Sequence, residues 1–250
     1  MRRPSTYTII NSVGYQSWAY HGSNVMPTGR PRASSVAPAP LAPPWASAVA
    51  LAALLIGGVL ATMVWHTTRL DPVDAWVLRW QQVALTHAGG VASIVSATLA
   101  PVVVLTIVTG AVLGWRVQRW DLTLFALAAL PATYAVEVLL KRLVHRQWEG
   151  DPALIFPSGH TAMATAVALI AVLAVRVTRG ASGIRRIVVC LTIGYVVAIA
   201  VARLVETVHP LTDLLGGVAT GLVITLGVAL ALTALFGYGR PDRAGSAPDR

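Results

Sequence analysis

The stretch Phe156–Thr161 combines residue types that can bind an anion and move a proton. Pro157 suits the first turn of a helix, because its missing N–H would be unpaired there anyway. The free N–H groups of a helix start lie at the positive end of the helix dipole, where phosphate groups bind. Gly159 would let such a ligand approach the backbone, and His160 can give or take a proton near neutral pH. A capped helix with a chance histidine would give the same string, so residues elsewhere in the chain must decide.

A second polar cluster lies about fifty residues later, and its spacing suits nucleophilic catalysis. His209 and Asp213 are four residues apart, which is one helical turn. The carboxylate can therefore hold one imidazole nitrogen and leave the other free, which is the orienting half of a nucleophile arrangement. The alternative is an interfacial histidine next to an aspartate that complements the dipole of a helix start.

Three cations accompany these two clusters: Lys141, Arg146 and Arg203. With the amides near Ser158 they can surround one phosphoryl group, since an arginine fork suits two phosphate oxygens and a lysine acts as a point charge. A single cation at the end of an apolar run is more often a headgroup anchor. The combination of cations, serine, two histidines and aspartate favours the functional interpretation.

Two glutamates close to these cations need partners of their own. Glu137 lies one helical turn before Lys141, and we expect the two to pair. Glu206 is expected to pair with a nearby arginine. His145 and Glu149 also have a helical spacing, but two ligands make no metal site.

The groups that can do chemistry are separated by long apolar runs. The chain has 250 residues, of which 56% are hydrophobic and 12% charged, and several runs reach the roughly 20 residues needed to cross a bilayer. We predict an all-α, six-transmembrane helical bundle. The spans are expected at about 46–65, 91–115, 121–140, 161–175, 187–202 and 214–236.

The segments around the spans have their own signatures. Residues 71–87 form an amphipathic pattern, which predicts an interfacial helix with tryptophans at headgroup depth. Pro101 is expected to kink the second span, and the spacing of Gly217 and Gly221 lets helices approach closely. We predict a disordered cytoplasmic tail over 1–44, a membrane domain over 45–236 and a second cytoplasmic tail over 237–250; no signal peptide is expected.

The distribution of positive charge predicts the orientation in the membrane. Six spans put both termini on one side, and that side carries thirteen lysines and arginines against six on the other. Cytoplasmic loops are the ones enriched in these residues, so the termini are expected in the cytoplasm. The polar clusters then share the extracytoplasmic face.

Several partner classes are disfavoured. The basic residues lie at the ends of apolar runs rather than in a patch with interleaved aromatics, so no nucleic-acid partner is expected. Cys190 is the only cysteine, which rules out an intrachain disulfide and a cysteine metal cluster. No His-Glu-x-x-His string or paired aspartates occur, so neither a metal ion nor another cofactor is expected.

The stretch Phe156–Thr161 and the cluster of His209 and Asp213 together resemble a known family. Pro157-Ser158-Gly159-His160, followed by Arg203, five residues, His209, three residues and Asp213, is similar to two signatures of the type 2 phosphatidic acid phosphatase superfamily. Vanadium haloperoxidases belong to it too, but they are soluble enzymes. The third signature usually opens with Ser-Arg, where this chain has Ala202 before the arginine. The resemblance extends over about residues 45–236.

The first signature of that superfamily is less complete. It consists of a lysine, six residues and then Arg-Pro; Lys141 fits, but Trp148 and Glu149 stand where Arg-Pro would be. Arg146 is the nearest substitute, and we expect it to supply the missing cation. Trp148 is expected to pack at the interface beside the lipid stem.

The resemblance implies a metal-independent lipid phosphatase that works through a phosphohistidine intermediate. By analogy, His209 attacks phosphorus while Asp213 orients it, and His160 protonates the leaving oxygen and later activates water. The implied phosphate ligands are Lys141, Arg146, Ser158, Gly159 and Arg203.

The implied substrate is a lipid phosphate whose head group faces outward from the plasma membrane. Undecaprenyl or decaprenyl diphosphate, phosphatidic acid and phosphatidylglycerol phosphate are the candidates, and the sequence does not separate them. The alternative is a non-catalytic protein that binds or moves anionic lipids with a degenerate site. Trp148 and Ala202 favour that alternative, whereas the complete set of two histidines and an aspartate argues against it.

Lys141 is the only lysine of the chain, which makes the predicted orientation testable. A membrane-impermeant amine reagent applied to intact cells should label Lys141 and leave the amino terminus unlabelled, because the two should lie on opposite sides. Vanadate should slow the labelling, because a bound anion pairs with the ammonium and keeps it protonated. Labelling of the amino terminus alone would invert the topology. A labelling rate indifferent to vanadate would remove Lys141 from the anion site.

Overall fold

The computed structural model describes residues 39–84, 88–148, 151–178 and 181–236, and these form a helical bundle. The helices are α1 Ala46–Met63, α2 Pro72–Ala84, α3 Gly89–Ala97, α4 Leu99–Arg116, α5 Trp120–Val144, α6 Gly159–Val177, α7 Ser182–Val205 and α8 Leu211–Leu235. Within these described ranges, six helical segments are long and apolar enough to cross a membrane, with α3 and α4 counted as one. The predicted six-span, all-α fold is confirmed.

Helix α6 is the centre of the bundle, with α4, α5, α7 and α8 packed around it. Its small and branched residues face these neighbours, and more than half of its span is buried, against 11% for α1 and α7. Lipid tails are as apolar as leucine, so association here depends on close packing rather than on exclusion of water. The main buried core comprises residues such as Leu122, Phe125, Ile170, Leu173 and Leu226.

Two glycines of α8 let it pack closely against α6. A Cβ on Gly221 would lie 2.6 Å from the Ala162 carbonyl oxygen and 2.7 Å from the Thr165 Cβ, and a Cβ on Gly217 would collide with Thr161 and the Ser158 carbonyl. The predicted close approach is therefore confirmed. It brings the start of α6 against the first turns of α8.

The second span is broken between α3 and α4, at Thr98. Pro101 lacks the N–H that would bond to the Ala97 carbonyl, and its ring crowds that carbonyl. The helix therefore ends at Ala97 and begins again at Leu99, which confirms the predicted effect of the proline.

A short hairpin, which the sequence pattern does not predict, lies between α5 and α6. Strands β1, Gln147–Trp148, and β2, Asp151–Leu154, pair in antiparallel fashion. The backbone before β1 is tied to the loop after α1: His66 donates its N–H to the Val144 carbonyl at 2.9 Å, and Gln147 donates to the Thr67 carbonyl at 3.1 Å.

Helix α2 is amphipathic, and its two faces differ sharply in exposure. Trp76 and Trp80 are exposed, whereas Asp74 and Gln81 are buried against the bundle. Gln81 donates through Nε2 to the Val205 carbonyl oxygen at 3.3 Å. Outward tryptophans and an inward polar face suit the predicted interfacial position.

Part of the predicted N-terminal tail is packed on the bundle. Leu41 is buried in the core, and the Ala42 N–H donates to the Thr233 hydroxyl at 2.9 Å. Arg119 donates to the Ala39 carbonyl at 2.9 Å, which satisfies a backbone group of this segment. Packing against the bundle thus includes residues of the predicted tail, before its boundary at residue 44. Residues 1–38 and 237–250 of the two predicted tails lie outside the described residues.

Two glycines of α8 provide a matched test of the α6–α8 contact. Gly221→Ala should lower the free energy of unfolding by about 1–3 kcal/mol, because the added methyl overpacks a tight contact. Gly227→Ala should be tolerated, since a Cβ there meets nothing within 4 Å. Thermal unfolding midpoints of the purified proteins in the same detergent measure both effects. Equal midpoints for the two variants would contradict the close packing.

Candidate active site

The ends of α5 and α7, the start of α8 and strand β2 border an open cavity of about 430 Å³ at one end of the bundle. Lys141 comes from the end of α5, Arg203 from the end of α7 and His209 from just before α8. The remaining lining residues are Ala153, Leu154, Ile155, Thr207 and Val208. Residues up to 68 positions apart in the chain are thus brought together, as the sequence predicted for these three.

His209 and Asp213 lie side by side at the start of α8. The His209 Nδ1 and the Asp213 Oδ2 are 3.5 Å apart, slightly beyond the usual range of a hydrogen bond. Both atoms are buried, and neither has a hydrogen-bond partner among the described residues. If these two atoms moved slightly closer, they would form a hydrogen bond, and the Nε2 of His209 would stay free for a ligand.

The start of α6 lies directly against this pair. Ser158 is the residue before the helix, and its N–H donates to the Asp213 carbonyl oxygen at 3.0 Å. Its hydroxyl is buried and, within the described part of the chain, has no partner. A Cβ on Gly159 would lie 2.8 Å from an oxygen of Glu137, so only glycine fits there without displacement.

Unpartnered buried polar atoms concentrate at this end of the bundle. Of seven such atoms in the described chain, four are the Ser158 Oγ, the Arg203 Nε, the His209 Nδ1 and the Asp213 Oδ2. Buried polar groups in proteins almost always have partners, so each exception calls for an explanation. A polar ligand bound among these side chains would supply one.

Both cations of the cavity are already paired with carboxylates. The Lys141 Nζ lies 2.7 Å from a Glu137 oxygen, and the Arg203 Nη1 lies 2.5 Å from a Glu206 oxygen. The Ser96 hydroxyl donates to the same Glu206 oxygen at 3.1 Å. The expected partners of the two glutamates are therefore confirmed. The pairing holds the cations in place and offsets part of their charge.

His160 is the second residue of α6 and is half-buried. Its electrostatic neighbours are Arg203, His209, Glu206 and Lys141. The structure therefore brings the second histidine of the sequence prediction to the same group of charges. Among the described residues, no group of three or more His, Cys, Asp or Glu side chains is arranged to hold a metal ion.

Arg146 does not line the cavity, and this corrects its predicted place among the phosphate-binding cations. The side chain is 1% exposed. Its Nη1 lies 2.5 Å from the Asp213 Oδ1 and 2.6 Å from the Thr212 hydroxyl, and its Nη2 lies 3.0 Å from the Asp74 Oδ2. Two buried carboxylates need a cation between them, because unpaired charge is costly away from water. The two carboxylates therefore hold the guanidinium outside the cavity lining.

Asp74 is the residue of this region that the sequence analysis missed. Its Oδ1 accepts the Thr212 N–H at 3.0 Å, and its Oδ2 accepts the Thr212 hydroxyl at 2.6 Å. Burial opposes ionisation, but the hydrogen bonds from Thr212 and Arg146 outweigh it and hold the pKa of Asp74 below its ordinary value of 3.8. The sequence pattern could have indicated this role: Asp74 and Gln81 are seven residues apart, so they share one polar face of a helix whose other face carries tryptophans.

The remaining residues of the first and third signatures are Trp148, Glu149 and Ala202. Trp148 lies in β1, but its side chain is outside what the structure describes, as is Glu149, so their predicted roles stay predictions. Ala202 is buried one position before Arg203. His145 is exposed, and its ring stacks on His66 at 5.4 Å.

Two comparisons with known proteins agree with this architecture. Residues 144–236 match the family model of the PAP2 superfamily. The fold is similar to the crystal structure of the first transmembrane PAP2 type phosphatidylglycerolphosphate phosphatase from Bacillus subtilis. The TM-score is 0.60 and the identity 20%, over 78% of this chain and 98% of that one. No curated protein gives a significant match to the chain.

The resemblance predicted from the sequence signatures is thereby confirmed. The chain is a multi-pass membrane protein with the fold of a transmembrane PAP2 phosphatase, and its second half carries the match to the superfamily. Lys141 and Glu137 precede the matched segment, whereas the residues from Ser158 to Asp213 lie inside it.

The lowered pKa of Asp74 predicts an acid-dependent loss of stability. The folded protein releases this proton more readily than the unfolded chain does, so Asp74 stabilises the fold above the unfolded pKa of about 3.8. That contribution is lost as the pH falls through the lower, folded pKa. Asp74→Asn should therefore flatten the decline of the unfolding midpoint between about pH 5 and pH 2. Parallel declines in parent and variant would contradict this.

Proposed function

We propose that this chain is an integral membrane phosphatase that hydrolyses a phosphomonoester or diphosphate of a lipid. One observation carries the proposal: His209, Lys141 and Arg203 line a single cavity, with the Asp213 carboxylate beside His209. A site that only bound phosphate would need cations but no oriented imidazole. The match to the PAP2 superfamily supports a phosphatase.

Substrate binding in this proposal is an exchange of anions. The phosphoryl oxygens replace Glu137 and Glu206 as partners of Lys141 and Arg203, which lie 2.7 Å and 2.5 Å from those carboxylates. The Ser158 hydroxyl, buried without a partner among the described residues, donates to a further oxygen. The amides at the start of α6 add the positive end of the helix dipole. These groups favour the charge that develops on the equatorial oxygens.

The chemistry then divides into two displacements. The His209 Nε2 attacks phosphorus while the bond from phosphorus to the leaving oxygen breaks, and His160 gives that oxygen a proton. Water next attacks the phosphorus of the phosphohistidine as its P–N bond breaks. His160 accepts the proton of that water, and inorganic phosphate leaves. In both steps all the cations that stabilise charge belong to side chains, so no metal ion takes part.

The lipid head group enters the cavity at the extracytoplasmic end of the bundle, in the plasma membrane. The excess of lysine and arginine at the opposite side supports this orientation. Polyprenyl diphosphates, phosphatidic acid and phosphatidylglycerol phosphate all carry a suitable group. Phosphatidylglycerol phosphate is the first to test, because the similar Bacillus subtilis structure is that of a phosphatidylglycerolphosphate phosphatase.

The test is phosphate release by the purified protein in detergent micelles, with EDTA present and each candidate lipid supplied separately. The parent should release phosphate, and vanadate should inhibit it by resembling five-coordinate phosphorus. His209→Ala should abolish turnover, and Asp213→Asn should reduce it less, because the nucleophile remains but loses its orienter. His145→Ala is the matched control: this exposed histidine does not line the cavity, and the variant should keep the parental rate.

Three results would overturn parts of the proposal. Parental turnover by folded His209→Ala would exclude the nucleophile. Activity lost in EDTA and restored by magnesium would exclude the metal-independent mechanism. Vanadate binding without turnover of any lipid would favour a non-catalytic protein that binds or moves anionic lipids.

A further inference from the structure

We propose that Asp74 and Arg146 are positioning residues, which act through Asp213 on His209. This inference rests on the proposed role of His209 and deepens it. The interfacial helix α2, which carries Asp74, then belongs to the machinery of the site although it does not line the cavity.

The contacts form an unbroken chain from α2 to His209. The Asp74 Oδ2 binds the Arg146 Nη2 at 3.0 Å, and the Arg146 Nη1 binds the Asp213 Oδ1 at 2.5 Å. The other oxygen of Asp213, Oδ2, lies 3.5 Å from the His209 Nδ1. The guanidinium therefore engages one carboxylate oxygen and leaves the second directed at the imidazole. A carboxylate held at one oxygen has little freedom to rotate away from its histidine.

Asp74 also fixes the backbone that carries Asp213. It accepts both the N–H and the hydroxyl of Thr212, the residue immediately before Asp213. The carbonyl of Asp213 accepts the Ser158 N–H at 3.0 Å, which links this turn to the start of α6. Small displacements of a reacting group cost large factors in rate, so the first turn of α8 is the place where such anchoring matters.

Burial explains why the arrangement is rigid. Asp74 and Arg146 are each 1% exposed and Asp213 is fully buried. One cation between two carboxylates leaves no unpaired positive charge, and removing the cation would leave two buried carboxylates facing each other. Other geometries of the network are unfavourable, because a buried oxygen that loses its hydrogen-bond partner cannot replace it with water.

This role differs from direct phosphate binding in a measurable way. Arg146 does not line the cavity, so its replacement should slow the chemical step and leave binding of an anion almost unchanged. A residue that bound phosphate would weaken vanadate binding when replaced. A residue that merely stabilised the fold would lower the unfolding midpoint without a selective effect on kcat.

The experiment compares Asp74→Asn, Arg146→Lys and the double variant in the phosphate-release assay. Each single variant should lower kcat about tenfold, equivalent to about 1.4 kcal/mol, with KM and vanadate inhibition constants within about twofold of the parent. The double variant should be no slower than Arg146→Lys alone, because both substitutions interrupt the same chain of contacts. Gln81→Met is the matched control, since it removes another buried polar contact of α2, to the Val205 carbonyl. It should leave kcat near the parental value.

A second measurement is independent of turnover. Nitrogen-15 spectra of histidine-labelled protein report the tautomer of His209, whose signals are assigned by their absence in His209→Ala. The parent should hold the proton on Nδ1, facing Asp213. Asp74→Asn should give a mixture of tautomers, and Gln81→Met should not.

The outcomes separate this inference from the proposed function. An inactive parent would remove the proposed function, and the tautomer of His209 would still decide the positioning role. An active parent with parental kcat in folded Asp74→Asn would overturn the inference alone. Vanadate inhibition weakened tenfold by Arg146→Lys, or additive losses in the double variant, would also overturn it.

Discussion

The ion pairs of Arg146 with two buried aspartates are the interaction on which this end of the structure depends. Asp74 lies on an interfacial helix, Arg146 precedes the hairpin and Asp213 begins the last span. A buried charge without a partner costs several kcal/mol. Movement of any of the three elements away from the others would leave such an unpaired charge, so the network holds them together. The network lies outside the lining of the cavity and joins α2, the residue before β1 and the start of α8.

The cavity itself shows a second level of charge compensation. Lys141 and Arg203 each hold a glutamate, and both glutamates are largely removed from solvent. Without these carboxylates the two cations would repel each other, because screening by water is weak near a bilayer. The carboxylates relieve that repulsion, and in the proposed function a phosphate group replaces them. The Ser158 hydroxyl and the His209 Nδ1 are buried near this cavity without partners among the described residues.

The chain departs from the first signature of the PAP2 superfamily, and the arginine nearest to that departure has buried partners instead. The chain has only 20% identity to the similar Bacillus subtilis structure, yet the two share most of their length in one fold. In this chain the arginine nearest to the missing Arg-Pro lies behind the site, bonded to Asp213 and Asp74. Lys141 and Arg203 are the cations that remain on the cavity wall. An arginine near the expected position can thus stabilise the aspartate instead of lining the cavity.

The sequence by itself determined the features that depend on local pattern. Apolar length predicted six spans, Pro101 predicted a kink in the second span, and the glycine spacing of α8 predicted a close helix contact. The spacing of His209 and Asp213 within one turn, and of Lys141 with Glu137, placed those pairs correctly, because helical geometry converts a sequence interval into a distance.

Only the tertiary structure decided where Arg146 points and that Asp74 matters. Both outcomes depend on contacts between residues 67 or more positions apart, and no periodicity encodes the partner of a buried charge. The sequence placed Arg146 with the phosphate ligands because it stands near a known signature. The structure places it between two carboxylates, because away from water the nearest opposite charges determine the position of a guanidinium. The hairpin that delivers it there is equally a product of long-range pairing, since its short strands carry too few residues to show an alternating pattern.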